Sequence, residues 1–480
     1  MKKIFKEYEN EIKIKPIDET LNDVEFVKKI KCPNDKKYTL KSLRTKKIIK
    51  WSTIIALPSV VIGTLSIFVF FDITDRDSVY KKHFSLSEVH NINKNTFKSL
   101  NEINYPKDLS KKSNELDKEF VEAFNKFSYR IFEEGKTKDN FGYSPISLYH
   151  HLDVLSGLAN NDLNSSFDSL FGINSETRDK EVKKNFLNNF YQDKDNGMSL
   201  YNGFFIDNKY KLKKEKIDFL TKKYVEAFEL DINKDYDVEL MLKWINDKVN
   251  ITLDKENLMI QKDTIFYLFS TMSYVNSWNT LFLKENTSAG EFYDTNGNKK
   301  DVKYMSHSYI GTVTEYDEYL SFYDYYRNGY KIQYIFTKNK NDRLEDVLKN
   351  TNYLIDDETM TQEAYIKLKV PKFTFNDKIE FNDILGQSEI GEIYDKKANS
   401  FNEMLKNDDI DYSYLMVTEQ RNYIEFNEDG TKIKTFTSSM ADGGANTGAG
   451  EGYQITLDHE FYYIIKDQYN IPIFMGKYNS

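Results

Sequence analysis

The sequence predicts an α+β protein with mainly antiparallel sheets, preceded by one membrane-spanning helix. Two observations set the class of the body: helical periodicities gather early, and strand-like runs of β-branched and aromatic residues crowd the later part. A third, an uncharged apolar run near the N-terminus, sets the anchor. With 40% hydrophobic and 15% aromatic residues the chain is not wholly disordered, and 7 prolines with 20 glycines exclude a collagen-like fibre. Cys32 is the single cysteine, which excludes a disulfide scaffold, a thiolate metal cluster and any thiol nucleophile elsewhere.

In chain order, residues 1–50 form a basic tail. They hold 15 Lys and Arg against 8 Asp and Glu, a net +7, whereas the other 430 residues hold 52 against 68, a net −16. An acidic body argues against a nucleic-acid partner. Trp51 to Phe71 follow, 21 residues without a charge, which at about 1.5 Å rise per residue match a hydrocarbon core of about 30 Å. Lys46, Lys47 and Lys50 precede this run and Asp72, Asp75 and Asp77 follow it. The expected topology is therefore a single-pass protein with a cytoplasmic N-terminus and an extracellular body. The long leader and the lack of an Ala-x-Ala site argue against a cleaved signal peptide. Residues 72–112 read as a polar stalk, and 113–480 as one large domain.

Within that domain, Phe120, Val121, Phe124, Phe127 and Ile131 share a helical face. So do Leu148, Leu152, Leu155 and Ala159, and again Val238, Met241, Leu242, Ile245 and Val249. Strand-like runs cover 199–206, 364–370, 421–426, 461–467 and 471–477. The uncharged run Thr264 to Leu283 is rich in Ser, Thr and Asn, and reads as a long strand followed by a turn rather than a second membrane span.

Catalytic chemistry is absent from the pattern. The six histidines show no metal-binding spacing, and the neighbours His150 and His151 would project about 100° apart on a helix. No GxSxG elbow, GxxxxGK[ST] loop or GxGxxG appears. No enzyme activity, metal or cofactor is expected.

The informative segment lies near the C-terminus, RNYIEFNEDGTKIKTFTSSMADGGANTGAGEG. A strand turns a sharp corner at Glu428, Asp429, Gly430 and Thr431, then alternates. One face carries Thr431, Ile433, Thr435, Thr437, Ser439 and Ala441; the other carries Lys432, Lys434, Phe436, Ser438, Met440 and Asp442. A glycine-rich tract follows, holding 5 of the 20 glycines within 441–452. By pattern alone this is an edge strand running into a loop.

The segment resembles the reactive-centre loop of serpins, whose hinge reads Glu, a charged residue, Gly, then Thr or Ser. Ordered matches extend the likeness over the domain. DNFGYSPISLYHHLDVLSGL, SLYNGFFIDNKYKLKKEKIDFLTKKYVEAF, LKWINDKVN, TIFYLFSTMSYVNSWNTLF, YIKLKVPKFTF and IPIFMGKY all resemble serpin segments. With the apolar run, the likeness is to a membrane-anchored, bacterial serpin. It implies a serpin-like fold of three mainly antiparallel sheets and eight or nine helices, with a reactive-centre loop at 428–457. It further implies suicide inhibition, in which a serine protease cuts the loop, stays joined as a covalent acyl complex, and is carried across as the loop enters the central sheet.

The implied hinge is Glu428, Asp429, Gly430, Thr431, Ile433, Thr435 and Thr437. Counting along the loop puts the scissile region at Met440, Ala441, Gly443, Gly444 and Ala445; measuring back from Phe461 pushes the cut toward Ala449. That region lacks Arg and Lys, so the expected partner is an elastase- or subtilisin-like serine protease. The implied sheet-opening region comprises Asn140, Ser144, Ser147, Ser270, Trp278 and Gln420. Here Ser270 stands for the usual Asn and Gln420 for the usual His. Ile433 and Phe436 stand where small residues are common, and Glu460 replaces the usual Pro, Ser or Thr before Phe461. The other function open to such a chain is a non-inhibitory binding or adhesion protein.

Overall fold

Short-range signals explain where the elements begin and end. The computed structural model describes residues 96–105, 115–136, 140–189, 197–249, 263–349, 351–406, 410, 412–433 and 452–479, all within the unit Thr96–Ser480. A short strand, β1 (Lys98–Ser99), comes first. Helix α1 (Lys118–Gly135) starts at Asp117, whose side chain accepts from the Glu119 N–H, and buries the face of Phe120, Phe124, Phe127 and Ile131. After β2 (Phe141–Tyr143), Ser144 caps α2 (Pro145–Leu158) and Pro145 opens it, where a missing N–H removes no helical bond. Apolar residues surround α2, and it is buried on nearly every side.

Next come α3 (Asn164–Phe171), closed by left-handed Gly172, α4 (Ser175–Asn189), β3 (Gly197–Asp207), α5 (Lys214–Lys222), β4 (Val225–Leu230), α6 (Asp235–Val249) and β5 (Phe266–Ser277). The later half holds β6 (Ser288–Tyr293), β7 (Lys299–Glu315), β8 (Tyr319–Tyr325), β9 (Lys331–Thr337), α7 (Leu344–Val347), β10 (Thr361–Pro371), β11 (Phe373–Glu380) and α8 (Asn382–Gly386). It ends with β12 (Glu419–Asn427), β13 (Gly430–Ile433), β14 (Tyr453–Thr456), β15 (Phe461–Lys466) and β16 (Pro472–Tyr478). Eight α-helices thus stand among the described residues.

Among the described residues the strands form two hydrogen-bonded sheets where three were expected. One runs β1-β4-β3-β5-β13-β12-β11; the other runs β14-β10-β7-β8-β9-β15-β16-β2, with β6 also on β7. The merger has a local cause. The 17-residue β7 pairs β6 over Lys299–Tyr304, β10 over Tyr304–Thr314 and β8 over Thr312–Glu315, so its length joins what would be separate sheets. Pairing is antiparallel except for β3 with β4 and β10 with β14.

The main core lies between the sheets, with α2 packed on both β5 and β16. A separate cluster on the other face of the first sheet joins α6, through Val238, Met241, Trp244 and Ile245, to Phe205 and Leu230. Glu460 is buried rather than misplaced: its carboxylate accepts the N–H of Leu344 at the start of α7, 3.1 Å away, and lies 3.6 Å from Lys477.

Residues 96–105, read from sequence as stalk, belong to the folded unit. Asn101 lies against β4 just beyond its pairing with β1, where its carboxamide copies a ladder rung: Nδ2 donates to the Val225 carbonyl at 2.9 Å and Oδ1 accepts from the Ala227 N–H at 2.9 Å. Leu100 N–H donates to Ala227 O at 2.8 Å. The Tyr105 hydroxyl donates to Glu226 at 2.9 Å, and Phe97 packs on Phe228 with centroids 5.1 Å apart. The strap reads as polar because its attachment uses an amide and a phenol rather than an apolar stripe. Among the described residues no helix is long and apolar enough to cross a membrane; the expected span 51–71 lies outside them. Asn101→Ala should strip partners from two edge groups and cost about 1–3 kcal/mol, read as a fall in the midpoint of denaturant unfolding.

Candidate functional site

The hinge segment forms a strand inside the first sheet. β13 pairs antiparallel with β12, setting Thr431 opposite Phe426, and antiparallel with β5, setting Thr431 opposite Asn276. Among the described residues it is the link between them in the strand order; β5 also pairs with β3 and β12 with β11, and the residues directly after Ile433 lie outside the described ones.

Three contacts fix where β13 begins. Lys372 Nζ donates to both oxygens of Glu428 at 2.9 and 2.7 Å, and Thr287 Oγ1 donates to the same carboxylate at 2.8 Å. Burial by itself pushes the Glu428 carboxyl up. The Lys372 hydrogen bond, then the backbone N–H, the Thr287 hydroxyl and the Lys372 charge outweigh it and hold the group below the usual carboxylate range. At Gly430 a Cβ would sit 2.0 Å from the Asn276 carbonyl oxygen, so only glycine lets the chain pass this close to β5. Thr431 is fully buried and shares a 2.6 Å hydrogen bond with the Tyr326 hydroxyl. Tyr326 in turn stacks on Trp278 at 4.7 Å, whose Nε1 donates to the Asn427 carbonyl at 2.9 Å.

The other sequence-predicted residues gather where α2 and the residues before it meet β5 and β12. Gln420 grips the backbone of Ser144 from both sides: the Ser144 N–H donates to Oε1 at 2.7 Å, and Nε2 donates to the Ser144 carbonyl at 3.1 Å. The Ser144 hydroxyl donates to Ile473 O at 2.8 Å, and Asn422 Nδ2 to Gly142 O at 3.0 Å. Ser147 is buried, with its N–H on Ser144 Oγ at 3.3 Å. Ser270 Oγ meets His151 Nδ1 at 3.2 Å. Burial holds His151 at a pKa of about 4, neutral near pH 7. Asn140 lies apart, its Oδ1 accepting from the Asn479 N–H at 2.9 Å.

For Ile433 the backbone pairing is described, opposite Tyr274. Thr435, Thr437, Met440, Ala441, Gly443, Gly444 and Ala445 lie outside the described residues. On the far side of that segment β14 runs parallel to β10, so the loop joins the two sheets. The described residues hold no grouping of His, Cys, Asp or Glu suited to a metal.

A family model described as Serpin (serine protease inhibitor) matches residues 122–480. The chain belongs to the serpin family. Among curated relatives, this serpin is 22% identical over 398 residues to an uncharacterized serpin-like protein, R700, of Acanthamoeba polyphaga mimivirus, covering 76% of this chain and 90% of that one. It is 22% identical to human Serpin B7 over 380 residues, covering 74% and 96%. Neither source is bacterial. The native-state crystal structure of tengpin, a thermophilic serpin, superposes with a TM-score of 0.68 at 19% identity, covering 80% of this chain and all of that one. Serpins are generally inhibitors acting through the reactive loop rather than enzymes, and some are non-inhibitory.

Several site residues escaped the sequence. Lys372 stands in a quoted motif, but only pairing of β11 with β12 brings it to Glu428. Tyr326, Thr287 and His151 carry no local signal, since each acts across the fold. The Glu428 shift fixes a sign. A carboxyl held low in the folded state stabilises above its unfolded value, near 4.5, and loses that contribution as pH falls through the folded value. Wild type should therefore lose more stability between pH 6 and pH 3 than Glu428→Gln, measured by chemical denaturation at each pH.

Proposed function

We propose that this serpin is a suicide inhibitor of extracellular serine proteases with elastase- or subtilisin-like preference. One observation carries the reading: the hinge residues Gly430–Ile433 already lie as a strand between β5 and β12. Continued at the same pairing, Thr435 would meet Met272 and Asn422, and Thr437 would meet Ser270 and Gln420. The odd-numbered residues would then share the buried face of Thr431, which suits their small and hydroxyl side chains.

The chemistry follows. A protease serine attacks the carbonyl of the residue before the cut, an ester forms, and the amine leaves with the chain that continues into β14. Freed at one end, the loop zips between β5 and β12, each added rung giving about 1 kcal/mol, and draws the esterified protease with it before water can release it. Met440 to Ala445 offer no Arg or Lys to a trypsin-like pocket. The same reading tethers the domain outside the cell through 51–71, on the strength of the Lys-rich flank and uncharged run.

Incubation with elastase and subtilisin should give a detergent-resistant complex, with the released fragment starting between residues 441 and 446 by mass spectrometry. Cleavage with neither complex nor a gain in thermal stability would favour the binding scaffold instead. Thr431→Arg would bury a charge against Tyr326 at a cost of about 3 kcal/mol or more, so complex yield should collapse while cleavage continues. Protease shaving of intact cells should release the domain; protection until lysis would remove the tether from the reading.

A further inference from the structure

The turn between β8 and β9, residues 326–330, is attached to the hinge and its neighbour β5 at three points. The Tyr326 hydroxyl shares its hydrogen bond with Thr431 Oγ1 at 2.6 Å. The Arg327 N–H donates at 3.1 Å to the carbonyl of Ser277, the β5 residue opposite Gly430. The third point is Asn328, whose side-chain Oδ1 accepts from Asn276 Nδ2. Asn276 is 1% exposed, lies opposite Thr431, and presents the carbonyl that Gly430 passes. Its Nδ2 also donates to the Tyr274 hydroxyl at 3.1 Å, while its Oδ1 has no hydrogen-bond partner.

Asn328 is exposed and is followed by Gly329. An asparagine before glycine is chemically labile, because the next backbone nitrogen can attack the side-chain carbonyl carbon and glycine puts no Cβ in its way. Four such pairs occur in the chain, at Asn196, Asn202, Asn296 and Asn328, and the fold treats the described ones differently. Asn202 is buried in β3, where Gly203 is paired in the ladder on both sides. At the exposed Asn296 the Gly297 N–H donates to the Asp294 carbonyl at 2.8 Å, which holds the attacking nitrogen back. At Asn328 the Gly329 N–H reaches the Tyr326 carbonyl only at 3.4 Å, and a Cβ on Gly329 would meet nothing nearer than 3.9 Å. An attacked carbonyl oxygen gathers negative charge, and Asn276 Nδ2 is a fixed donor to that oxygen.

We propose that Asn328 is a site of spontaneous deamidation, and that its chemical state sets how firmly the hinge strand is held. The Gly329 nitrogen bonds to Asn328 Cγ, the Cγ–Nδ2 bond breaks, and the Gly329 proton, passed through water, leaves with Nδ2 as ammonia. Water then opens the cyclic imide on either side. One opening gives aspartate on an unaltered backbone, whose carboxylate keeps the Asn276 bond and strengthens it by its charge. The other carries the chain through the β-carbon as isoaspartate, lengthening the turn by a methylene and moving the carboxylate off Asn276. The buried Asn276 amide then keeps the Tyr274 hydroxyl alone, directly beside Thr431. No oxidant, metal or protease takes part.

The test incubates the purified full-length chain in mildly alkaline buffer, native and in denaturant. Each Asn-Gly pair is followed by peptide mapping for the amide-to-acid mass gain, with isoaspartate identified by enzymatic methylation. In the native protein Asn328 should convert about fivefold faster than Asn296 and Asn202, the weight of one hydrogen bond, while in denaturant the pairs should convert at similar rates. Asn276→Ala should slow conversion at Asn328 by a similar factor by removing the donor to its carbonyl; if that variant fails to fold, the native ranking decides. Hydrogen exchange at the Gly430–Ile433 amides should be faster in the isoaspartate fraction than in fresh protein, and no faster in Asn328→Asp. Asn296 converting first, equal native rates, a folded Asn276→Ala without effect, or hinge exchange unmoved by isoaspartate would overturn the proposal.

Discussion

The hinge of this molecule depends on one placement: among the described residues, β5 and β12 are joined in the first sheet through β13, the four residues Gly430–Ile433. Backbone N–H and C=O groups must find partners, and β13 supplies them to a neighbour on each side. The segment after β13 is joined to the first sheet at one end and, through β14, to the second sheet at the other; on the inhibitor reading proposed above, further strand addition waits on release of one end.

The surroundings of β13 hold the first sheet unequally. At its start the chain is over-determined: Glu428 is held by Lys372 and Thr287, Gly430 passes within reach of the Asn276 carbonyl, and Thr431 is buried against Tyr326. A shift of β13 by one residue would break all of these together, so its register is fixed at its start. Further along, the ties are single or weak on the β5 side and double on the β12 side.

Much of the fold was legible because it rests on local periodicity. The faces of Phe120 to Ile131 and Val238 to Ile245, the capping Ser144 with Pro145, and the strand runs later in the chain all became the elements they suggested. Sheet count was not legible, since it turns on the length of β7, one strand shared by neighbours far apart in sequence. The start of the folded unit was misread for a related reason. Thr96 to Tyr105 has no apolar stripe, and its attachment comes from Asn101 and Tyr105 finding partners on β4.

By itself the sequence determined the alternation of small and polar residues after Thr431, the glycine that lets the chain turn between strands, and the ordered motifs of the family. These are properties of residue type and spacing, and they survive without knowledge of any contact. Tertiary structure alone decided that Lys372 neutralises Glu428, that Tyr326 receives Thr431, and that His151, from a pair read as unremarkable, is the one that meets Ser270. Each of these joins residues between about 55 and 120 positions apart. Such partners are chosen by the packing of a helix beneath a sheet, a geometry that no local pattern encodes.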